Sequence, residues 1–212
     1  MQWLESSVAD GVTYPAAPWP LVGSLWLTLF RVADQVDHQR PAGLYGAAFV
    51  SYERGSPLTY SELLVARPIT HAQQGRRITI TDIWVDSPES VAGGRELWAI
   101  PKQLSDFEQD VDGSGPLSRT RWTAREGRTA IARAHFRDLS RLAPRTPFRA
   151  GIWHPGLPDT AGAERTASMR GSSKVLPARA TWEFDPDGPL GWLSNARQLA
   201  SFRQTSFRMT FG

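Results

Sequence analysis

The chain has 212 residues, 41% of them hydrophobic and 21% charged, which suits a folded globular protein of one domain spanning 1–212 and excludes a disordered chain. Its net charge of +3 is spread over singly scattered arginines, which argues against nucleic acid as a partner, and the absence of cysteine excludes disulfides, thiolate nucleophiles and sulfur-ligated metals. No apolar run approaches the roughly 18 residues of a membrane span, and the start MQWLESSVADG lacks the basic and apolar regions of a signal peptide, so no membrane partner and a cytoplasmic location are expected.

Short β-like runs separated by Gly, Pro, Asp and Ser predict a mostly antiparallel sheet or barrel. In chain order they are Ser24 to Val32, Leu44 to Tyr52, Leu58 to Arg67 and Arg76 to Val85. Asp86-Ser87-Pro88-Glu89-Ser90 then supplies a cap, a proline at the first helical position and an acid in the first turn, which predicts a short helix. That helix must end near Ile100, because Pro101 disfavours helical geometry at the residue before it. Lys102 therefore sits in a turn just beyond it. Gly93-Gly94 inside the helix costs about 1 kcal/mol per glycine relative to alanine, a cost that suggests close packing against a neighbour.

Further strands are expected over Asp106 to Val111, Leu117 to Ala124, Thr129 to Phe136, Phe148 to Trp153, Val175 to Phe184 and Gln198 to Phe211. In the last, alternation puts Phe207, Met209 and Phe211 on one face and Ser206, Arg208 and Thr210 on the other. The stretch from His154 to Ser173 is rich in Gly, Pro and Ser and reads as a long loop, over a cavity mouth or as a disordered insertion.

Only two of the 24 basic residues are lysines, Lys102 and Lys174. A rare lysine raises the question of lysine chemistry, since arginine neither loses its proton at usable pH nor forms an imine. Lys102 is flanked by Trp98, Ile100, Pro101, Leu104 and Phe107. Such surroundings would desolvate the amine, lower its pKa and free it to attack a carbonyl. The plain alternative is a cation capping the last turn of the preceding helix.

Gly94-Arg95-Glu96-Leu97, followed three residues later by Pro101-Lys102, resembles the GRE(L)-x-x-x-PK signature of the acetoacetate decarboxylase family. Tyr60-Ser61-Glu62 resembles that family's aromatic-hydroxyl-Glu segment on an earlier strand. The opening Tyr14-Pro15 to Pro18-Trp19 and the closing Ser201-Phe202 to Phe207-Arg208-Met209 are similar to a short bacterial branch of it. The resemblance implies an α+β fold, mostly antiparallel β, arranged as an open β-barrel or cone with a few short helices and a hydrophobic cavity. It also implies a homo-oligomer, a small-molecule keto acid or ketone as substrate, and neither metal nor organic cofactor.

On that resemblance Lys102 matches the nucleophile, whose imine acts as electron sink, and Glu62 matches the active-site acid. Arg95, Trp98 and Tyr60 are candidate substrate-binding residues, although Arg95 reads more simply as a structural partner of Glu96 or of a strand. Three departures stand out. Gln103 replaces the family's second lysine, so any pKa depression must rest on burial. The substrate-carboxylate arginine would fall near Gly23, with Arg31 at the far end of that strand no obvious replacement, and an additional glutamate is replaced near Ala47.

Trp26, Trp84, Trp98 and Trp122 could line a pocket or serve as core. His38, His71, His135 and His154 show no metal-ligand spacing, and no metal is expected. Three classes remain open. The first is a cofactor-independent Schiff-base lyase performing decarboxylation or aldol and dehydration chemistry; the others are a non-catalytic small-molecule-binding barrel and a structural oligomer.

Overall fold

The computed structural model describes residues 6–9, 11–113, 117–158 and 162–212. Residues 1–5, on which much of the signal-peptide reading rests, and 159–161, inside the expected loop, lie outside them. A small hairpin, β1 (Ser6–Ala9) and β2 (Val12–Pro15), precedes the main sheet. The sheet begins with an antiparallel meander of β3 (Trp19–Val32), β4 (Gly43–Tyr52), β5 (Tyr60–His71) and β6 (Gly75–Val85). Helix α1 (Pro88–Trp98) and the two-residue β7 (Gln103–Leu104), which pairs with β6, follow. A second meander is formed by β8 (Asp106–Asp112), β9 (Ser118–Glu126) and β10 (Thr129–Asp138), before β11 (Arg145–His154), β12 (Arg165–Phe184) and β13 (Arg197–Phe211) complete the chain.

The strand order is β11-β6-β5-β4-β3-β13-β12-β10-β9-β8, and β11 also pairs with β12. Seven strands thus curl round toward closure, with a parallel seam where Ile152 of β11 meets Ile78 of β6. The long strand β12 serves both parts of the sheet. Its first half pairs with β11 and β13, and its second half carries β10 and the outer meander. An open cone of mostly antiparallel strands with one helix is therefore the architecture, as the resemblance implied.

The expected loop from His154 to Ser173 is corrected here, because β12 already begins at Arg165. Residues read as chain breakers serve close strand packing instead. A Cβ at Gly171 would lie 2.2 Å from the Arg208 carbonyl oxygen, so only glycine fits between β11 and β13. Ladder hydrogen bonds on both sides override the weak strand propensity of Gly and Ser.

Alternation divides the sheet into two hydrophobic clusters. On the outer phase Trp26, Phe49, Leu63 and Trp84 pack under the second meander's Trp122 and Phe136. Phe49 stacks on Trp122 with ring centroids 5.1 Å apart. On the inner phase Trp19, Tyr52, Tyr60, Trp98, Ile100 and Phe207 surround the lumen at the helix end. Trp26, Trp84 and Trp122 accordingly belong to the outer core and not to the cavity wall.

Candidate active site

Helix α1 begins as its capping signals predict. Ser87 is extended, its Oγ accepts from the Ser90 amide at 3.1 Å, and Pro88 opens the helix. Ala99 ends it in the left-handed conformation at φ 53°, donating to the Arg95 carbonyl. This abrupt stop returns the chain so that Lys102 reaches back across the helix it has just left.

The glycine pair explains how. A Cβ on Gly93 would sit 2.7 Å from the Trp19 ring, and one on Gly94 would sit 2.8 Å from Lys102 Cδ. Gly93 lets the helix lie on Trp19, and Gly94 leaves a groove for the lysine stem. The helical propensity lost at both positions is thus tied to placing one side chain.

Lys102 is buried at 5% exposure and Glu62 at 3%. The ammonium uses all three donors. Nζ donates to Ser90 Oγ at 2.8 Å, to Glu62 Oε2 at 3.0 Å and to the Tyr60 hydroxyl at 3.3 Å. It also lies 4.9 Å from the Tyr60 ring centroid, within cation–π range. The other carboxylate oxygen, Glu62 Oε1, accepts from the Tyr52 hydroxyl at 3.1 Å. Strands β4 and β5 place Tyr52 and Tyr60 directly opposite each other, and their rings meet at 4.4 Å.

Burial is the largest influence on the Lys102 amine and presses its pKa down, but the Glu62 carboxylate and the Tyr60 hydroxyl together outweigh it. The amine is held above the ordinary lysine range. This corrects the expectation of a depressed pKa: sequence context showed the apolar flanks, not the carboxylate brought in from 40 residues away. Burial pushes both the Tyr52 and Tyr60 hydroxyls up; Glu62 adds to the rise, and at Tyr60 the lysine opposes it.

The cluster stands in the wall of a cavity of about 500 Å³, within the usual range of small-molecule sites. Tyr52, Tyr60, Glu62 and Lys102 line it, as does Trp98 from the helix end. Arg95, a candidate for substrate binding, is not among the lining residues. Its Nη1 donates to the Lys102 carbonyl at 3.2 Å, so it positions the lysine backbone. Gln103 is exposed on β7, where a cation in its place would be screened by solvent rather than pressed against Nζ.

The other two departures also find their place. A Cβ on Gly23 would lie 2.0 Å from the Ser51 carbonyl oxygen, so no arginine side chain could leave from there, and Arg31 is exposed. Ala47 is buried in the outer core, while Ala48 faces the cavity. Among the described residues Glu62 is the carboxylate that lines this cavity.

Ser90 and Tyr52 went unrecognised in the sequence. Ser90 lies four residues before Gly94, hence on the same helical face, and that spacing from the lysine-contacting glycine was the available signal. Tyr52 offered none, since its role depends on the register of β4 against β5.

A family model described as acetoacetate decarboxylase (ADC) matches residues 35–153, more than half of the chain. The chain belongs to the acetoacetate decarboxylase family. Solved structures of similar fold include an acetoacetate decarboxylase from Legionella pneumophila, at 13% identity and TM-score 0.61, covering 93% of this chain and 86% of that one. The enduracididine biosynthesis enzyme MppR shows 17% identity and TM-score 0.62, covering 94% and 86%. An acetoacetate decarboxylase-like enzyme from Sphingomonas wittichii RW1 shows 15% and 0.60, covering 92% and 91%. At these identities the likeness is one of fold. No curated protein matches the chain.

Proposed function

We propose that the protein is a cofactor-independent lyase in which Lys102 forms a protonated imine with the carbonyl group of a keto acid or ketone. The observation that carries this reading is a buried lysine with its three donors engaged, one of them on a buried carboxylate, in the wall of an apolar cavity. Nζ passes one proton to Glu62 Oε2, 3.0 Å away, and its lone pair adds to the carbonyl carbon. A proton then moves from nitrogen to the new oxygen. Glu62 protonates that hydroxyl as it departs as water, leaving an iminium cation beside a restored carboxylate.

The iminium can drain electrons from a neighbouring bond in two ways. Loss of carbon dioxide from a β-keto acid gives an enamine. Removal of an α-proton by Glu62 gives the same enamine, ready for aldol or dehydration chemistry. MppR has been solved with the condensation product of pyruvate and imidazole 4-carboxaldehyde, which supports the second outcome as an option for this fold. Glu62 is the proton carrier, Tyr52 and Tyr60 hold it and the amine in register, and Ser90 fixes Nζ. Arg95 is a positioning residue through the Lys102 carbonyl.

The raised Lys102 pKa favours one alternative, a binding protein whose lysine stays charged and never condenses. Borohydride reduction in the presence of ketones and keto acids, followed by intact-mass analysis and peptide mapping, separates the two. A reduced adduct on Lys102 that is lost in Lys102→Met supports the lyase. Tight ligand binding without any adduct favours the alternative. The homo-oligomeric state is likewise carried by the family resemblance and is tested by light scattering. Among the described residues no helix is long and apolar enough to cross a membrane.

A further inference from the structure

The cavity extends well past the lysine. Leu25, Leu27 and Leu29 of β3 pair with Val50, Ala48 and Gly46 of β4, and all six line it. On β5 the lining runs from Glu62 through Leu64 and Ala66 to Pro68, a length of roughly 20 Å at about 3.3 Å per residue. The lysine end is buried, whereas at the far end Leu44, Pro68 and Arg149 are exposed. The lumen is thus a tunnel opening at Pro68 and ending at Lys102.

Its charges are arranged in a way that limits what can enter. The arginines that border it, Arg67 and Arg149, stand at the open end and out of phase with the inward-facing Ala66 and Pro68 and with Phe148 and Ala150. Arg67 is turned to the Gln39 carbonyl at 3.1 Å, and Arg149 is exposed. Among the described residues the cation lining the closed end is Lys102, already countered by Glu62, and the backbone at Gly23 leaves no room for another. A carboxylate next to the reacting ketone would be desolvated with no cation of its own, facing a carboxylate. A neutral carbonyl compound brings no net charge, since the iminium simply replaces the ammonium opposite Glu62.

We infer that the compound Lys102 accepts is a neutral ketone or aldehyde carried on an apolar chain of roughly fifteen carbons, at about 1.3 Å per carbon of an extended chain, and not a short keto acid. This rests on the imine reading above and narrows its substrate class. The reaction is condensation with release of one water, followed by transfer of an α-proton from substrate to Glu62; no oxidant or reductant takes part. Small residues at Gly46, Ala48 and Ala66 give the chain its room, and the facing leucines give it an apolar wall.

The test is borohydride trapping across methyl ketones from butanone to hexadecanone, with acetoacetate and pyruvate alongside, reading the concentration that half-labels Lys102. Each added methylene should lower that concentration about three- to fourfold until the tunnel is full. Ala66→Phe, with Leu29→Trp as a second obstruction should the first misfold, should raise it for tetradecanone about a hundredfold, toward the value for decanone. Labelling by acetoacetate or pyruvate at lower concentration than by any neutral ketone, or no dependence on chain length, overturns the inference and leaves imine chemistry standing. No adduct on Lys102 from any compound, in protein shown to be folded, overturns both.

Discussion

The two phases of one sheet have been put to opposite uses, and each contains a buried ion pair. On the outer phase Arg203 donates to Asp138 at 3.3 Å and to Ser118 Oγ at 2.6 Å, with its guanidinium 4.8 Å from the Trp26 ring centroid. Around it tryptophan and phenylalanine rings fill the space. On the inner phase Lys102 meets Glu62 among side chains that leave a cavity of about 500 Å³. Both cations are buried, but arginine cannot give up its proton and lysine can. Filled walls and a fixed charge make a strut; an open lumen and a transferable proton make a site.

Several substitutions would sharpen or break that contrast. The largest expected effect is on chemistry: Lys102→Met should abolish imine trapping altogether, and because it leaves Glu62 buried without its cation it should cost stability as well. Arg203→Met should cost stability alone. It leaves Asp138 buried without its cation, which costs about 3–5 kcal/mol by chemical denaturation. Trapping at Lys102 in the fraction that remains folded should be unchanged. Equal loss of trapping in both variants would erase the distinction between strut and site.

Gly94→Ala should fall between them. The added methyl would meet Lys102 Cδ and Cε at 2.8 and 2.9 Å, an overpacking cost of about 1–3 kcal/mol partly offset by about 1 kcal/mol of better helix propensity. Because Nζ is fixed by three partners, the stem must shift, and trapping should drop at least about tenfold while the melting temperature changes by only a few degrees. Unchanged trapping would mean that the groove over Gly94 is not what places the lysine.

At neutral pH the smallest effect concerns a titrating group outside the site, which acts only on acidification. His154, buried at the end of β11, has its pKa lowered to about 4 by desolvation, and its Nε2 has no partner among the described residues. In the unfolded chain a histidine titrates near 6.5. Between these values the unfolded state binds more protons, so stability falls on acidification from about pH 6.5 to pH 4, by up to about 1.4 kcal/mol per pH unit. His154→Leu should flatten that slope in urea melts taken across the range.

Much of the scaffold was readable from alternation and punctuation. Alternation puts Phe207, Met209 and Phe211 on one face of the last strand, and they line the cavity together. The helix from Pro88 and its stop before Pro101 followed from capping chemistry. The first half of β12 was hidden, because a strand made of Ser, Gly and Thr is held by the ladders on either side of it. In the site, Lys102, Glu62 and Tyr60 were legible as motif residues and the structure brings them within hydrogen-bonding distance. Tyr52 and Ser90 were not, being defined only by register and by helical phase, and the direction of the Lys102 pKa could not be read without the contact to Glu62.

That direction also offers the most direct test of the account. With only two lysines in the chain, labelled-lysine NMR gives two side-chain signals, and Lys102→Met assigns them. The Lys102 signal is expected to titrate above the ordinary value near 10.4 in the native protein and to fall in Glu62→Gln, where only the Tyr60 hydroxyl still opposes burial. A Lys102 signal that titrates like a solvent-exposed amine in both proteins would contradict the account.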